Sequence, residues 1–421
     1  MTNGLCDRAA QGRVSRCVLL CPYREQAGGA ELSLLHLLEH GRGGQDGVEW
    51  SLACLEDGEI LETARGWGIP GVALGVRKLG SADLVPGLWR LVRFCRSQQA
   101  DVVLGWMPQV GYLACLAALM TGAHASWFQK GGAKEELTWW RRWILTARVR
   151  ALLANSVPTG LDQFRQTRDR PVVVVPSGVD LSRFDGGRLG TPAACRAALG
   201  LPTTGRVLVM VGRLQRWKGF HTLIEAMPEL LSEDASTTAV LVGGAFASEP
   251  GYEEDLRALS ASLGVSERVV FAGAVEHADV PRYMQAADVV VHASHHEPFG
   301  IVIVEAMALG KPLVASRVGG PGATVTDGRD GLLIDPERPD ELAGAVLRYW
   351  NDPGLVERVA ACGPGRAADF SVGVFADRMA GAIRGMVDGP ALKPGVYLDN
   401  ACLTSPGDAE VTTGARREVV A

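Results

Sequence analysis

Short, uninterrupted apolar runs recur along this 421-residue chain and constrain its fold more than any other feature. Residues 17–21 (Cys-Val-Leu-Leu-Cys) carry no charged or strongly polar side chain, which is typical of a parallel strand buried on both faces. Similar runs, separated by stretches of helical length, predict strands at 51–55, 72–74, 102–104, 125–128, 151–154 and 172–175, and again at 207–211, 239–242, 269–271, 289–291, 313–315 and 332–334. Strands that alternate with helices form parallel sheets with helices on both faces, so the pattern predicts an α/β fold.

The two series of runs predict two domains, each with its own Rossmann-like sheet. We place the N-terminal domain at 14–180 and the C-terminal domain at 206–370. Residues 181–205 between them contain several Gly and Pro residues and no sustained period, which predicts a linker. Helices are expected near 339–351 and 372–387, with a C-terminal helical segment at 371–391, and residues 392–421 are expected to form a loose tail.

Composition excludes several classes of protein. With 47% hydrophobic and 21% charged residues the chain can bury two full cores, and its net charge of −5 argues against a nucleic-acid partner. Residues 102–123 carry no charge and are long enough to span a bilayer. Pro108, Gln109 and three glycines interrupt that stretch, so we predict a buried strand, a loop and a helix there instead.

Cysteine usage and the first residues predict a cytoplasmic location. The nine cysteines form no Cys-x-x-Cys pair, and dispersed ones such as Cys54, Cys95 and Cys115 fall at core-like positions, which is expected in a reducing compartment. Residues 1–16 lack the apolar run of a signal peptide. Only six of the 42 basic residues are lysines, a bias we associate with a GC-rich bacterial genome.

The segment from Glu297 to Glu305 carries the clearest functional pattern. Pro298 disfavours helix at Glu297, Gly300 permits a tight turn, and the apolar spacing from Ile301 onward predicts a helix with Glu305 about one turn inside it. The amides of Phe299, Gly300 and Ile301 then become helix-start donors that suit an anion. An ordinary capped helix with two surface acids would produce the same local pattern.

Two glycine-containing loops also suit phosphate. Gly28 and Gly29 follow the first strand and precede a helix, although a simple tight turn explains two glycines equally well. The loop Gly212-Arg-Leu-Gln-Arg-Trp-Lys-Gly219 places Arg213 and Lys218 together after the first strand of the second domain. Two cations there suit a diphosphate leaving group, whereas a solvated basic loop is the alternative.

Together these segments resemble the retaining glycosyltransferases of family 4. The residues that carry the resemblance are the Glu-x7-Glu pair Glu297 and Glu305, the Gly-Arg-Leu-x3-Lys-Gly loop that begins at Gly212, Gly28-Gly-Ala-Glu31, Ala154-Asn-Ser156, Pro176-Ser-Gly-Val-Asp180 and Leu313-Val-Ala-Ser-Arg-Val-Gly-Gly320. The family has two facing Rossmann-like domains, the GT-B architecture. The resemblance implies that the last helix crosses back to the N-terminal domain.

The resemblance also implies roles for individual residues. Glu297 is expected to contact the donor sugar and Glu305 the nucleotide ribose, while Arg213 and Lys218 are expected to stabilise the leaving diphosphate. The glycine loop at Gly28 and Gly29 is expected to cover that diphosphate. The segment Gly273-Ala-Val275 is expected beside the base. No metal ion or other cofactor is expected, because the cationic loop replaces a divalent ion.

One segment departs from the family pattern. Where many members have aromatic-x-x-His-Gly beside the donor sugar, this chain has Ser126-Trp-Phe-Gln-Lys-Gly131, so that Lys130 takes the histidine's place. An ammonium group only donates hydrogen bonds and carries a full charge. Lys130 is therefore expected either to face an anionic group of the donor or acceptor or to lie solvated on a shifted loop. Gln129 beside it is a further sugar or acceptor candidate.

Two other clusters have competing interpretations. His292, His295 and His296 precede Glu297 and hint at a metal site, but their spacing fits no zinc motif, and His296 is interpreted as an acceptor or sugar contact. Residues 137–145 mix three tryptophans with two arginines. A core-packed helix is preferred there over a membrane interface or an acceptor groove, so peripheral membrane contact is not favoured.

The sequence therefore predicts a retaining transferase that moves a hexose-like sugar from a nucleotide-diphosphate sugar to a hydroxyl acceptor. The acceptor class, whether glycan, lipid-linked or natural product, stays open, as do the nucleobase and the oligomeric state. The alternatives are a GT-B epimerase or hydrolase and a non-catalytic subunit that binds sugar nucleotide. A nicotinamide dehydrogenase is disfavoured because neither first strand is followed by Gly-x-Gly-x-x-Gly.

Overall fold

The chain folds into two compact units, one formed by residues up to 178 together with those from 372 onward, and the other by Val179–Ser371. The structure, a computed structural model, describes residues 13–25, 29–44, 46–131, 146–167, 169–246, 248–398 and the backbone of 410–411. The C-terminal helix Val372–Val387 groups with the first unit.

The first unit is built on a nine-stranded sheet in the order β15-β14-β7-β6-β5-β4-β1-β2-β3. Its strands run parallel except β15, which is antiparallel to β14. The strands are β1 Ser15–Cys21, β2 Val48–Cys54, β3 Gly71–Ala73, β4 Val102–Gly105, β5 His124–Gln129, β6 Leu152–Ala154, β7 Val172–Val174, β14 Val396–Leu398 and β15 Glu410–Val411.

Helices cover both faces of this sheet, because strand residues alternate between two buried clusters. Cys17 and Leu19 of β1 belong to one cluster, and Val18 and Leu20 to the other. The helices of the unit are α1 Gly29–His40, α2 Glu59–Gly66, α3 Leu84–Ser97, α4 Pro108–Thr121, α5 Val157–Thr167 and α15 Val372–Val387.

The second unit repeats the design with six parallel strands in the order β10-β9-β8-β11-β12-β13. Again Leu208 and Met210 face one cluster while Val207 and Val209 face the other. The strands are β8 Val207–Val211, β9 Thr238–Val242, β10 Val269–Gly273, β11 Val289–His292, β12 Leu313–Ser316 and β13 Leu332–Ile334. The helices are α6 Gly186–Leu189, α7 Pro192–Leu199, α8 Phe220–Glu233, α9 Tyr252–Ser262, α10 Val280–Ala286, α11 Ile301–Ala308, α12 Pro321–Thr324, α13 Pro339–Asn351 and α14 Pro353–Ala368.

The predicted fold class, two parallel-sheet α/β domains with helices on both faces of each sheet, is confirmed. The uncharged stretch 102–123 forms β4, a break and α4, as predicted. In the part of the chain that the structure describes, no helix is both long and apolar enough to cross a bilayer.

Two predictions differ from the structure. The expected linker 181–205 contains a 3₁₀ turn and the helices α6 and α7, and Cys195 and Leu201 are buried in the core of the second unit. These helices are too short to show a helical period in sequence. The expected loose tail contributes β14, which pairs with β7 in parallel; Val396 is buried there. Pairing with β7 and burial of Val396 outweigh the polar character of the surrounding residues.

Candidate active site

The two loops that carry Arg213, Lys218 and Glu297 lie at the point where the strand order of the second unit reverses. β8 is flanked by β9 on one side and β11 on the other. The loop 212–219 follows β8, and the loop 293–300 follows β11, so both leave the carboxyl edge of the sheet beside each other. Open parallel sheets bind ligands in the crevice at this kind of switch point.

Lys218, Glu297 and His292 form a hydrogen-bonded cluster at that crevice. Lys218 Nζ lies 2.6 Å from Glu297 Oε2, and His292 Nε2 lies 3.3 Å from the same oxygen. Only 17% of the Lys218 side chain and 11% of the Glu297 side chain are exposed. Burial alone would raise the pKa of Glu297, but the hydrogen bond with His292 and the charge of Lys218 outweigh it and hold that pKa well below its usual range. Glu297 is therefore a fixed carboxylate.

Close backbone packing fixes the position of Glu297. The Gly320 amide donates to the Glu297 carbonyl at 2.7 Å. A Cβ at Gly319, whose φ is +77°, would lie 2.3 Å from the same carbonyl oxygen, so a side chain there would displace the loop. The Gly-Gly pair that follows β12 thus allows the backbone to approach the Glu297 loop.

A second close approach positions Lys218. Gly219 has φ of +78°, and a Cβ on it would lie 1.9 Å from the Ala293 carbonyl oxygen. This contact joins the loops that follow β8 and β11, which brings Lys218 next to Glu297. Arg213, earlier in the same loop, is exposed and lies over the Phe246 ring at 4.6 Å from its centroid.

Helix α11 begins where the sequence predicts and buries Glu305. Gly300 precedes it with φ of +91°, and a Cβ there would lie 2.8 Å from Ile303 Cδ1. Because Ile301 starts the helix, the first amides have no intrahelical acceptor and can bind an anion. Burial raises the pKa of Glu305 to about 7, and Arg183 opposes that rise only in part.

The three histidines before Glu297 do not converge. His292 turns to Glu297, His296 is exposed, and His295 stacks on His221 with ring centroids 5.2 Å apart. His221 Nδ1 also lies 2.8 Å from the Tyr252 hydroxyl, and burial, the neighbouring His295 and Arg216 lower the pKa of His221. Sequence analysis missed the His221–His295 stack, since 74 positions separate the two residues.

In the first unit, Lys130 is half-buried at the corresponding edge of the sheet, and its ammonium group is withdrawn from solvent. It follows β5, and its ammonium lies 4.2 Å from the Trp106 ring centroid and 4.9 Å from that of Phe128. Within the described residues, Nζ has no hydrogen-bond partner. Burial lowers the pKa of Lys130 to about 7, opposed by the charge of Glu31 in α1. The structure therefore does not place Lys130 on a shifted, solvated loop.

The remaining candidates divide between the two units. Gln129 is buried and donates to the Gly131 carbonyl, Gly29 is the first residue of α1, and Val275 follows β10. Gly212 pairs its amide with the Val242 carbonyl. Phe299 is buried against Phe370.

Gly28 and residues 137–145 lie outside the described residues. Over the ranges described, the direct contact among candidates is Lys218–Glu297; neither Arg213 nor Glu305 bonds to that pair.

Two family models match the two halves of the chain separately. Residues 193–364 match the family model described as glycosyl transferases group 1, and residues 27–183 match the model of Glycosyltransferase Family 4. Over 199 residues the chain is 41% identical to a D-inositol 3-phosphate glycosyltransferase of Acidothermus cellulolyticus, covering 46% of this chain and 43% of that protein. The corresponding protein of Segniliparus rotundus is 34% identical over 252 residues, which covers 59% and 55% of the two chains. The chain spans about half the length of the curated relatives it matches.

Solved structures share the fold over most of the chain. The Anabaena protein HepE, crystallised in complex with UDP, superposes with a TM-score of 0.74 at 24% identity, covering 88% of this chain and 99% of its own. A glycosyltransferase from Rickettsia africae superposes with a TM-score of 0.76 at 17% identity, covering 89% and 99%. At these identities the likeness establishes the GT-B-type architecture of two parallel-sheet α/β domains.

Proposed function

We propose that this chain, whose two domains match glycosyltransferase family models, transfers a sugar from a nucleotide-diphosphate sugar to a hydroxyl acceptor with retention of anomeric configuration. One observation carries the proposal: the buried, hydrogen-bonded cluster of Lys218, Glu297 and His292 lies at the switch point of the second sheet, beside the start of α11. A fixed carboxylate, a cation and helix-start amides converge there, and a sugar diphosphate requires a partner of each kind.

Lys218 and Arg213 would stabilise the leaving diphosphate. The Lys218 ammonium has three donors, and Glu297 occupies one of them, which leaves two for phosphate oxygens. The Arg213 guanidinium is exposed and can form a fork with a second phosphate. Negative charge on the diphosphate rises as the glycosidic bond breaks, so these contacts are stronger in the transition state than in the bound donor.

Glu297 would accept hydrogen bonds from hydroxyls of the donor sugar. Its carboxylate is ionised over the whole working pH range, since Lys218 and His292 hold its proton affinity low. We assign the ribose hydroxyls to Glu305 and the base to the neighbourhood of Val275. A retaining transfer would have the departing diphosphate assist attack by the acceptor from the same face, with no protein nucleophile.

The names of related proteins indicate which donors and acceptors should be tested first. HepE was crystallised with UDP, and the curated relatives are named for inositol 3-phosphate. We therefore place uridine-diphosphate sugars first among donors and a phosphorylated polyol among the acceptors to be tried. Lys130, a buried ammonium without a hydrogen-bond partner among the described residues, would suit an anionic group on the acceptor.

Slow donor hydrolysis tests the proposal without an acceptor. The chain is incubated with glucose donors of uridine, guanosine and thymidine diphosphate, and proton NMR follows the anomer of the released sugar. We expect one donor to be hydrolysed and the first-formed sugar to keep the configuration of the donor. Inversion would contradict retention, and conversion to an epimer would favour the epimerase. Binding of a donor without turnover, even with acceptors present, would favour the non-catalytic subunit.

A further inference from the structure

Exposed apolar side chains concentrate in one part of the first unit. Among the described residues, nine large hydrophobic side chains are exposed, and five of them fall between positions 79 and 119. The most exposed are Val85, at 65%, and Trp89, at 58%. The other three are Leu79, Tyr112 and Leu119. Single exposed hydrophobic residues need no explanation, but a cluster in a short segment marks an interaction surface.

These side chains share one surface because α3 and α4 pack side by side on the same face of the sheet. Leu91, Val92 and Cys95 of α3 belong to the same buried cluster as Val110 and Leu113 of α4. Arg96 near the end of α3 donates to the Met120 carbonyl near the end of α4, so the two helices lie alongside each other. Their outward faces therefore point in the same direction, away from the sheet.

Helical spacing places apolar and basic side chains on one outward stripe. In α3, Val85, Trp89, Arg93 and Arg96 recur at intervals of four, four and three residues, and all four are exposed. In α4, Tyr112 and Leu119 lie seven residues apart on one side. We call this surface, with Lys78 and Leu79 from the preceding loop, the α3–α4 face.

The α3–α4 face is positively charged in a chain that is negatively charged as a whole. Five basic and two acidic residues occur between positions 77 and 119, against a net charge of −5 for the entire sequence. Of the two acids, Asp83 pairs with Arg77 at 3.0 Å, and Asp101 pairs with Arg13. Lys78, Arg90, Arg93 and Arg96 therefore determine the sign of the local field.

We propose that the α3–α4 face docks the first unit on an anionic phospholipid membrane. A tryptophan and aliphatic side chains flanked by arginines on the outward side of two helices are what interfacial binding uses: apolar groups enter the headgroup region while cations remain at the lipid phosphates. A second copy of the chain fits this surface poorly, because a two-fold contact pairs the same positively charged face with itself and supplies no acidic partner for its arginines. This surface is separate in sequence from residues 137–145, where a membrane-interface helix was the less favoured interpretation and which lie outside the described residues.

Vesicle sedimentation tests the proposal and requires no sugar donor, so its outcome is independent of the proposed function. The full chain is mixed with vesicles of phosphatidylcholine alone, or of phosphatidylcholine and phosphatidylglycerol in equal parts, at low and high salt. We expect binding to the anionic vesicles at low salt, a much weaker signal at high salt, and little binding to neutral vesicles. Equal binding to both vesicle types, or none to either, would overturn the proposal.

Matched variants locate the surface. Lys78→Glu combined with Arg93→Glu removes two cations whose side chains are exposed, and should lower the partition coefficient at least about twenty-five-fold, since each basic residue contributes about fivefold near such a surface. Arg329→Glu combined with Arg348→Glu makes the same charge change on exposed arginines of the second unit and should have a much smaller effect. If both double variants lost vesicle binding equally, binding would depend only on net charge, and the assignment to the α3–α4 face would be overturned.

The apolar part is tested in the same way. Trp89→Ser should weaken binding several-fold, whereas Leu263→Ser, at a residue 38% exposed in the second unit, should not. Thermal melting checks that each variant remains folded. If Trp89→Ser instead abolishes a dimer seen by analytical ultracentrifugation and vesicle binding is absent, the α3–α4 face is a contact between copies and the membrane proposal is wrong.

Discussion

Ionisable side chains at the carboxyl edges of the two sheets differ in whether their surroundings favour the charged form or the neutral form. Glu297 is buried but paired, so its pKa lies below the usual range and it remains a carboxylate. Glu305 is buried, and the charge of Arg183 offsets the effect of burial only in part, so the pKa of Glu305 rises to about 7. The ammonium group of Lys130 is buried beside aromatic rings, and the pKa of Lys130 falls to about 7. Near neutral pH, therefore, a ligand can select the charge state of Glu305 and of Lys130, but not of Glu297.

Glu305→Gln should weaken nucleotide binding while stabilising the fold. Because the pKa of Glu305 is higher in the folded state, about 7, than its ordinary 4.5, the folded protein binds its proton more tightly, and stability falls as pH rises between these values. The glutamine removes this loss, which is on the order of 3 kcal/mol above pH 7. Urea unfolding at pH 5 and pH 8 should therefore show a much larger gain at pH 8 than at pH 5.

Calorimetry completes the test of Glu305. Wild-type affinity for the nucleoside diphosphate should rise with pH through 7, as the carboxylate forms and accepts bonds from the ribose, and Glu305→Gln should remove the part of that rise that exceeds titration of the phosphate. Glu297→Gln should spare nucleotide affinity and lower turnover. Equal losses of affinity in the two variants would contradict the separate roles.

Lys130→Met should give a more stable but impaired protein. The pKa of Lys130 is about 7 in the folded state and 10.5 ordinarily, so the unfolded chain binds more protons between these values, and wild-type stability rises with pH there. The variant should lose this dependence and melt higher at pH 7. Lys130→Ala and Lys130→His should both lose transfer activity, most with the acceptor that carries an anion. Unchanged kinetics in Lys130→Ala would remove this residue from the site.

Among the loops, glycines hold the candidate site together. Gly219 and Gly264 both have positive φ, +78° and +69°, yet a Cβ on Gly219 would overlap the Ala293 carbonyl while one on Gly264 meets nothing within 4 Å. Gly264→Ala should therefore cost only the backbone penalty of about 1–2 kcal/mol. Gly219→Ala should destabilise considerably more and should also weaken diphosphate binding, because it displaces the loop that carries Lys218. Urea denaturation compares the two variants; equal effects would mean that the loop contact is not what positions Lys218.

The elements that the sequence predicts well are those with a strong local signal. Buried strands such as β8 are apolar without interruption, and helices α13 and α15 have the predicted bounds because their apolar period is sustained. Strand β14 was missed because Val-Tyr-Leu is a short run among polar residues, glycine and proline, and it becomes a strand only by pairing with its neighbours in the sheet, β7 and β15. Site geometry is predicted less completely. Lys218 was assigned to a diphosphate alone, and its bond to Glu297, 79 positions away, depends on how two loops pack.

For the molecule as a whole, each of the two units places its candidate residues at the carboxyl edge of its own parallel sheet. Lys218 and Glu297 lie there in the second unit, and Lys130 lies there in the first, near Trp106 after β4. We assign donor chemistry to the second unit and acceptor binding to the first. Both assignments thus use the carboxyl edge of a parallel sheet. The α3–α4 face belongs to the first unit, so membrane docking and acceptor binding are assigned to one domain.

The rate of nucleoside diphosphate release from the donor, compared between wild type, Lys218→Ala and Lys393→Ala, tests the proposed function most directly. Lys393 is exposed in the first unit and serves as the matched lysine control. Loss of a charge that stabilises the departing diphosphate lowers the rate by about 10²–10³. We predict that fall in Lys218→Ala, with the fold intact by circular dichroism, and no change in Lys393→Ala. Wild-type turnover in Lys218→Ala would contradict the assignment of this site to glycosyl transfer.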